Sequence, residues 1–165
     1  MGSVLTGFSL RAATESDRTY LARLFYLTDV FGDESRPVGD HYLEDLDSYV
    51  GQWSPRQGGV IALSSEGIPA GGVWLRHGAH RPVFGFVSED APELAIAVEN
   101  RYSRQGLGSL LIDAALDLAR AQGHAGVSLA VDLGNDRARL LYVKKGFISL
   151  GVRPDLGCEA LIHRF

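Results

Sequence analysis

Ser103-Arg104-Gln105-Gly106-Leu107-Gly108-Ser109 joins a stretch with strand character to one with helix character. Upstream, Glu93 to Glu99 alternates, with Leu94, Ile96 and Val98 on one face and Ala95 and Ala97 on the other. Downstream, Leu107, Leu110, Leu111, Ala114 and Leu118 follow the 3.6-residue period until Gly123 stops the helix. The first turn of a helix leaves its N–H groups unpaired and carries the positive end of the dipole. Glycines let an anion approach that backbone with no Cβ in the way. A strand, a glycine turn and a helix start together form an anion cradle. Two nucleotide fingerprints fail here. A P-loop needs Lys and then Ser/Thr after its last glycine, but Ser109 and Leu110 follow Gly108; a dinucleotide fold needs a small residue where Leu111 stands. A tight turn without a ligand stays open as a reading of this segment alone.

Working outward, Val127, Leu129 and Val131 alternate as the next strand. Asn135 to Lys145 reads as a short helix with Ala138, Leu141 and Tyr142 on one side, stopped by Gly146. Phe147–Val152 and Glu159–Phe165 read as two final strands. Toward the N-terminus, Phe8–Ala12 reads as a strand, and Thr14 caps a helix carrying Leu21, Leu24, Phe25 and Thr28. Asp29 to Gly39 is a loop, and Tyr42, Leu43, Leu46 and Val50 mark a second helix ending near Gly51. Gly59–Leu63 and Ala70–Leu75 form a hairpin, and Arg76 to Pro92 reads mostly as loop. The order is β-α-α-β-β-β-α-β-α-β-β. Its strand-rich middle points to an α+β fold, a mixed sheet flanked by helices, in one domain spanning residues 1–165.

Composition narrows the function. Of 165 residues, 45% are hydrophobic and 22% charged, ordinary values for a globular chain. No apolar run reaches the ~18–20 residues a membrane helix needs. A net charge of −4 argues against a general nucleic-acid binder. Cys158, the only cysteine, can form no internal disulfide, which fits a reducing, cytoplasmic setting. No secretory signal is evident at the start; Met1-Gly2-Ser3-Val4-Leu5-Thr6 fits the loose myristoylation pattern, for which a flexible leader is the plainer reading.

The glycine turn resembles the cofactor motif Q/R-x-x-G-x-G/A of the GNAT superfamily of N-acetyltransferases. Gly106, Leu107 and Gly108 match its second half; Ser103 stands where Gln or Arg is usual, and Arg104 and Gln105 follow. A second match is more specific. Asn135 to Phe147 fits the family pattern N-x-x-A-x-x-L-Y-x-x-x-G-F at every fixed position, one helix and one strand after the turn. The matched span, Glu93 to Phe147, is about a third of the chain. The resemblance implies a mixed, mostly antiparallel sheet of about seven strands with about four helices. It also implies acetyl-CoA as co-substrate and no metal, with the pyrophosphate on the turn's amides.

Direct attack of an amine on the thioester is the chemistry such a resemblance implies. The amine must lose a proton, the oxyanion needs a donor, and the thiolate needs a proton. Tyr142 is the expected acid; a phenol of pKa ~10 protonating a thiolate of ~8.5 works uphill by roughly 2 kcal/mol. Backbone N–H groups near Ala97 and Val98 are the expected oxyanion donors; the strand splays from its neighbour in this family, which makes Ile96, Ala97 and Val98 the expected contacts of the cofactor's pantetheine arm. Arg104, Gln105, Gly106, Leu107, Gly108 and Ser109 are the expected pyrophosphate contacts, and Asn135 hydrogen-bonds the pantetheine arm or caps its helix. Glu93 is the candidate base, with an exposed strand-end carboxylate as the plainer reading. His77 and His80 are further candidates, each otherwise a surface histidine. Freeing a lysine-like amine at pH 7 costs about 4.6 kcal/mol and an α-amine ~1.4, so a base matters more for the former.

The acceptor the resemblance implies is a primary amine, on a small molecule or a protein. Between Asp29 and Asp47 seven acids face Arg36 alone, so Asp33 and Glu34, with Phe31, are the expected contacts of a cationic amine. A solvated helix face explains the same charges. Tyr26, Phe31, Trp53 and Trp74 supply either an aromatic wall or core packing. Homodimers are frequent in the family, and no nucleic acid or membrane partner is expected. A catalytically silent acyl-CoA-binding sensor or scaffold remains the alternative, and a nucleotide-binding module is a third reading that lacks its lysine.

Overall fold

A computed structural model describes residues 7–77 and 84–165. The possible acylation site at the N-terminus and His80 lie outside them. The elements are β1 (Ser9–Ala12), α1 (Arg18–Asp29), α2 (Tyr42–Leu46), β2 (Gly59–Leu63), β3 (Pro69–Arg76) and β4 (Glu93–Val98). After these come α3 (Leu107–Ala121), β5 (Gly126–Asp132), α4 (Asp136–Lys144), β6 (Ile148–Arg153) and β7 (Cys158–Arg164). Seven strands form one sheet in the order β1-β2-β3-β4-β5-β7-β6. Every pairing is antiparallel except β4 with β5. The mixed α+β fold read from the residues and the family's sheet are both observed.

Both faces of the sheet are covered because β4 is apolar on both. Leu94, Ile96 and Val98 pack with Leu107, Leu111, Ile112 and Ala115 of α3, and with Tyr142 of α4. Ala95 and Ala97 face the other way, toward Leu21, Leu24 and Phe25 of α1 and Tyr49. Trp53 and Trp74 are buried in this second cluster, so they serve as core and not as an acceptor wall. Each fully buried side chain of this size contributes about 1.5–3 kcal/mol of transfer free energy.

Local departures from the sequence reading have physical causes. Thr14 does stand at a helix entry, but Glu15–Asp17 first makes a 3-10 turn. The Asp17 carboxylate accepts from the Thr14 N–H at 2.8 Å and is bridged by Arg11 at 2.7 Å. The second helix is split: α2 is followed by a π-turn, Asp47–Gly51, that widens the coil. That turn places Tyr49 inward, with its carbonyl accepting from the Trp74 indole N–H at 2.9 Å. β3 runs to Arg76, one residue into the expected loop. The segment after α1 is tied to the end of β4: the Asn100 side-chain amide donates to the Gly32 carbonyl at 2.6 Å, and Tyr20 donates to Glu99 at 2.8 Å.

Candidate active site

β4 and β5 touch only once. Glu93 pairs with Ser128, where the Ser128 N–H donates to the Pro92 carbonyl at 2.9 Å; beyond that pair the two parallel strands separate. The Glu99 N–H donates to Ala70 of β3, which fixes the alternation along β4. Ala95 and Ala97 therefore spend their main-chain groups on β3, while those of Ile96 and Val98 face the gap. Of the two N–H groups expected as oxyanion donors, those of Ala97 and Val98, only that of Val98 faces the gap, and Ile96 presents its own beside it. Ala97 lines the gap with its methyl group alone. The gap opens into a cleft of about 910 Å³ that runs from Gly108 and Asn135 to Phe31 and Phe84.

At one end stands the glycine turn. Gly106 adopts φ +80°, a left-handed conformation that glycine takes without strain, and a Cβ there would meet nothing within 4 Å. The first bond of α3 runs from the Leu110 N–H to the Gly106 carbonyl at 3.2 Å. The N–H groups of Leu107, Gly108 and Ser109 precede it and have no partner in the helix. Leu107 is buried and anchors the turn, while Ser103 to Gly106 are exposed. The cradle is open and unplugged, as a diphosphate requires. Asn135 caps α4, its side-chain oxygen accepting from the Ala138 N–H at 3.4 Å, and it also lines the cleft. The cap is thus observed, and the cleft-lining position leaves the side chain beside the space where a cofactor arm would run.

Tyr142 lies on the buried side of α4 with its ring edge-on to Phe147, 8% exposed, and lines the cleft. Among the described residues no group accepts from its hydroxyl. Burial, and then the nearby Asp132 charge, push the phenol up to about 12.

Glu93 is not the exposed carboxylate that a strand end suggests; it is 2% exposed and lines the cleft from the face opposite Tyr142. One oxygen accepts from Arg76 at 3.1 Å. The other accepts from the Tyr49 hydroxyl and, at 3.2 Å, from the Gly85 N–H. Desolvation raises the carboxyl to about 7, against the opposing pull of Arg76, Tyr49, Gly85 and Arg153. The Arg76 guanidinium also lies over the Tyr49 ring, 4.3 Å from its centroid. Burial holds the Tyr49 phenol well above its usual range, so it donates and stays neutral.

The acidic stretch divides. Phe31 lines the cleft, with Arg36 stacked on its ring. Asp33 and Glu34 are not brought to it: Asp33 accepts from Ser35, and Glu34 pairs with Arg23 at 3.0 Å. The carboxylates lining the cleft are Asp29, Asp45, Asp132 and Glu93. Burial and then the nearby Asp29 charge raise Asp132. His77 does not line the cleft; it lies edge-on to His124, and its buried Nε2 has no partner among the described residues. Sequence reading missed Tyr49, Arg76, Gly85, Phe84, Arg153 and Asp132. Only Tyr49 carries a signal, its helical spacing from Tyr42 and Leu46.

A helix-flanked sheet with one parallel pair prised apart, a glycine turn at one end of the gap and a buried tyrosine and glutamate on its two sides is the architecture of a cleft open to a large anionic ligand. The chain belongs to the acetyltransferase (GNAT) family, whose model matches residues 21–147. General acetyltransferase activity goes with that membership. A GCN5-related N-acetyltransferase from Kribbella flavida shares the fold with TM-score 0.72 and 17% identity, over 96% of this chain and 98% of that one. A GNAT-family acetyltransferase from Streptococcus pneumoniae gives 0.67 and 22%, over 96% and 99%. The yncA protein of Salmonella typhimurium, solved with its cofactor acetyl-CoA, gives 0.63 and 19%, over 96% and 93%. No curated protein matches the sequence. Among the described residues no helix is long and apolar enough to cross a membrane, and no cluster of ligating side chains suits a metal.

Proposed function

We propose that this protein transfers an acetyl group from acetyl-CoA to a primary amine within a ternary complex. The observation that carries the reading is the open gap between β4 and β5, flanked by the unplugged glycine turn and by Glu93 and Tyr142 on opposite faces. Bound acetyl-CoA supplies an activated thioester. Leu107, Gly108 and Ser109 offer amides to its diphosphate, and the N–H groups of Ile96 and Val98 face the gap where an arm could pair and an oxyanion develop. Glu93, titrating near neutrality, takes the proton from the amine as the C–N bond forms. Tyr142 gives its proton to the sulfur as the C–S bond breaks. Burial makes that donation costlier than for a free phenol, but a thiolate forming in the same dry cleft is raised as well. Amine and thiol thus exchange protons with different groups on different sides of the sheet.

The acceptor side carries Asp29, Asp45 and Asp132 beside Phe25, Phe31 and Phe84. That mixture suits an amine with a positive charge and an apolar body. Thiol release should be measured with acetyl-CoA and putrescine, phenethylamine and a lysine-blocked peptide with a free α-amine. Turnover with any of them, lost in Glu93→Gln, supports the reading. Tight acetyl-CoA binding with no turnover on any would favour a sensor.

A further inference from the structure

Phe84-Gly85-Phe86 is a strap lying against β5 beside Glu93. Gly85 sits so close to β5 that a Cβ there would run into the backbone of Leu129 and Ala130. Its N–H donates to the Glu93 carboxylate at 3.2 Å. Phe84, at φ +50° and so in the left-handed region, lines the cleft and packs on Tyr49 with ring centroids 6.1 Å apart. Arg153, at the end of β6, holds the strap from behind. One guanidinium nitrogen donates to the Phe84 carbonyl and the other to the Phe86 carbonyl at 3.0 Å. A planar fork can satisfy two carbonyls on either side of one residue, which an ammonium cannot do in fixed geometry.

We infer that Arg153 is a positioning residue for the transfer reaction: by pinning the Phe84–Phe86 strap, it aims the Gly85 N–H at Glu93 and sets the protonation state of the base. The inference rests on the reading of Glu93 as base. The charged and titratable groups facing Glu93 are Arg76 from β3, Tyr49 from the π-turn, Arg153 from β6 and Cys158 from β7. Arg76 and Tyr49 bond the carboxylate directly, so they hold one part of its environment fixed while the strap is altered. Losing the strap removes a hydrogen bond to the ionised form, which favours the protonated acid and moves its titration upward.

The test is the titration of the Glu93 side-chain carboxyl by carbon NMR in the full chain, assigned with Glu93→Gln. The wild-type midpoint should lie at about 7. Arg153→Met should raise it by about 1 unit, having lost both the fork and the charge. Arg153→Lys keeps the charge and loses the fork, and Gly85→Ala displaces the strap without touching Arg153; both should also raise it. The acidic limb of the pH–rate profile should move with the midpoint, and activity should recover at higher pH. If Arg153→Lys titrates like wild type, charge alone acts and the strap has no role; if neither Arg153→Lys nor Gly85→Ala moves the midpoint, the inference falls. Should Arg153→Met fail to fold, those two variants decide. Full turnover by Glu93→Gln would instead overturn the base assignment and leave the titration result standing.

Discussion

The two halves of the cleft are built differently. The half around Gly106 and Asn135 is made by local rules: a glycine turn, a helix start and a capped second helix, each coded within a dozen neighbouring residues. What it presents are main-chain N–H groups at Leu107, Gly108 and Ser109, beside the exposed residues 103–105. The half around Glu93 is made by distant ones. Tyr49, Arg76 and Gly85 come from three separate segments and meet at one carboxylate, with the Arg153 charge behind Gly85. In the proposed reading the first half holds the acyl donor and the second takes the proton from the amine.

That contrast can be broken by mutation. The largest effect should come from Glu93→Gln, which removes the base and should lower kcat/KM by about 10²-fold or more while leaving the KM for acetyl-CoA near wild type. Tyr142→Phe should lower kcat by a similar or smaller factor. The pH profile should then separate the two groups. Activity should rise through about 7 as Glu93 ionises, and no descending limb from Tyr142, held up to about 12, should appear below pH 10 or so.

On the donor side, Gly106→Val places a branched side chain in a left-handed position and in the open cradle. Acetyl-CoA affinity should fall by roughly 10–100-fold, whereas Ser109→Ala or Gln105→Ala should change it by no more than about threefold. A reversal of that order would mean that side chains, not the main chain, hold the diphosphate. Stability gives a further check. The Glu93 carboxyl is higher in the folded protein than its ordinary 4.5, so the folded state keeps its proton longer than the unfolded one. Stability attributable to Glu93 should therefore fall as pH rises from 4.5 to about 7, and Glu93→Gln should flatten this part of the Tm–pH curve. The smallest effect sharpens the acceptor side. Asp132→Asn should raise the KM of a cationic acceptor several-fold, while Asp33→Asn should leave it within about twofold, because Asp33 is spent on Ser35.

Legibility followed the same division. Period-2 and period-3.6 patterns predict the observed order of strands and helices, most clearly at α3, whose Leu107, Leu111 and Ala115 all lie on its buried face. Gly106, Asn135 and Tyr142 could be placed on the cleft because each lies in a motif that is continuous in sequence. Glu93 could be named as a base but not as a buried one, since its burial comes from Tyr49 and the strap. Asp33 and Glu34 were misleading for a related reason: net charge along a loop does not tell which carboxylates are consumed by Ser35 and Arg23. Arg153 and Gly85 carry no local signal at all. Their function arises only when β6 is laid beside β7, which brings the guanidinium to the strap's carbonyls.

Titration calorimetry of the wild-type chain with acetyl-CoA, alongside Gly106→Val, tests the donor half most directly. The account predicts saturable one-to-one binding to the wild type that is at least tenfold weaker in the variant, by roughly the loss of one charge-assisted hydrogen bond. No binding to the wild type, or equal binding to both, would contradict it.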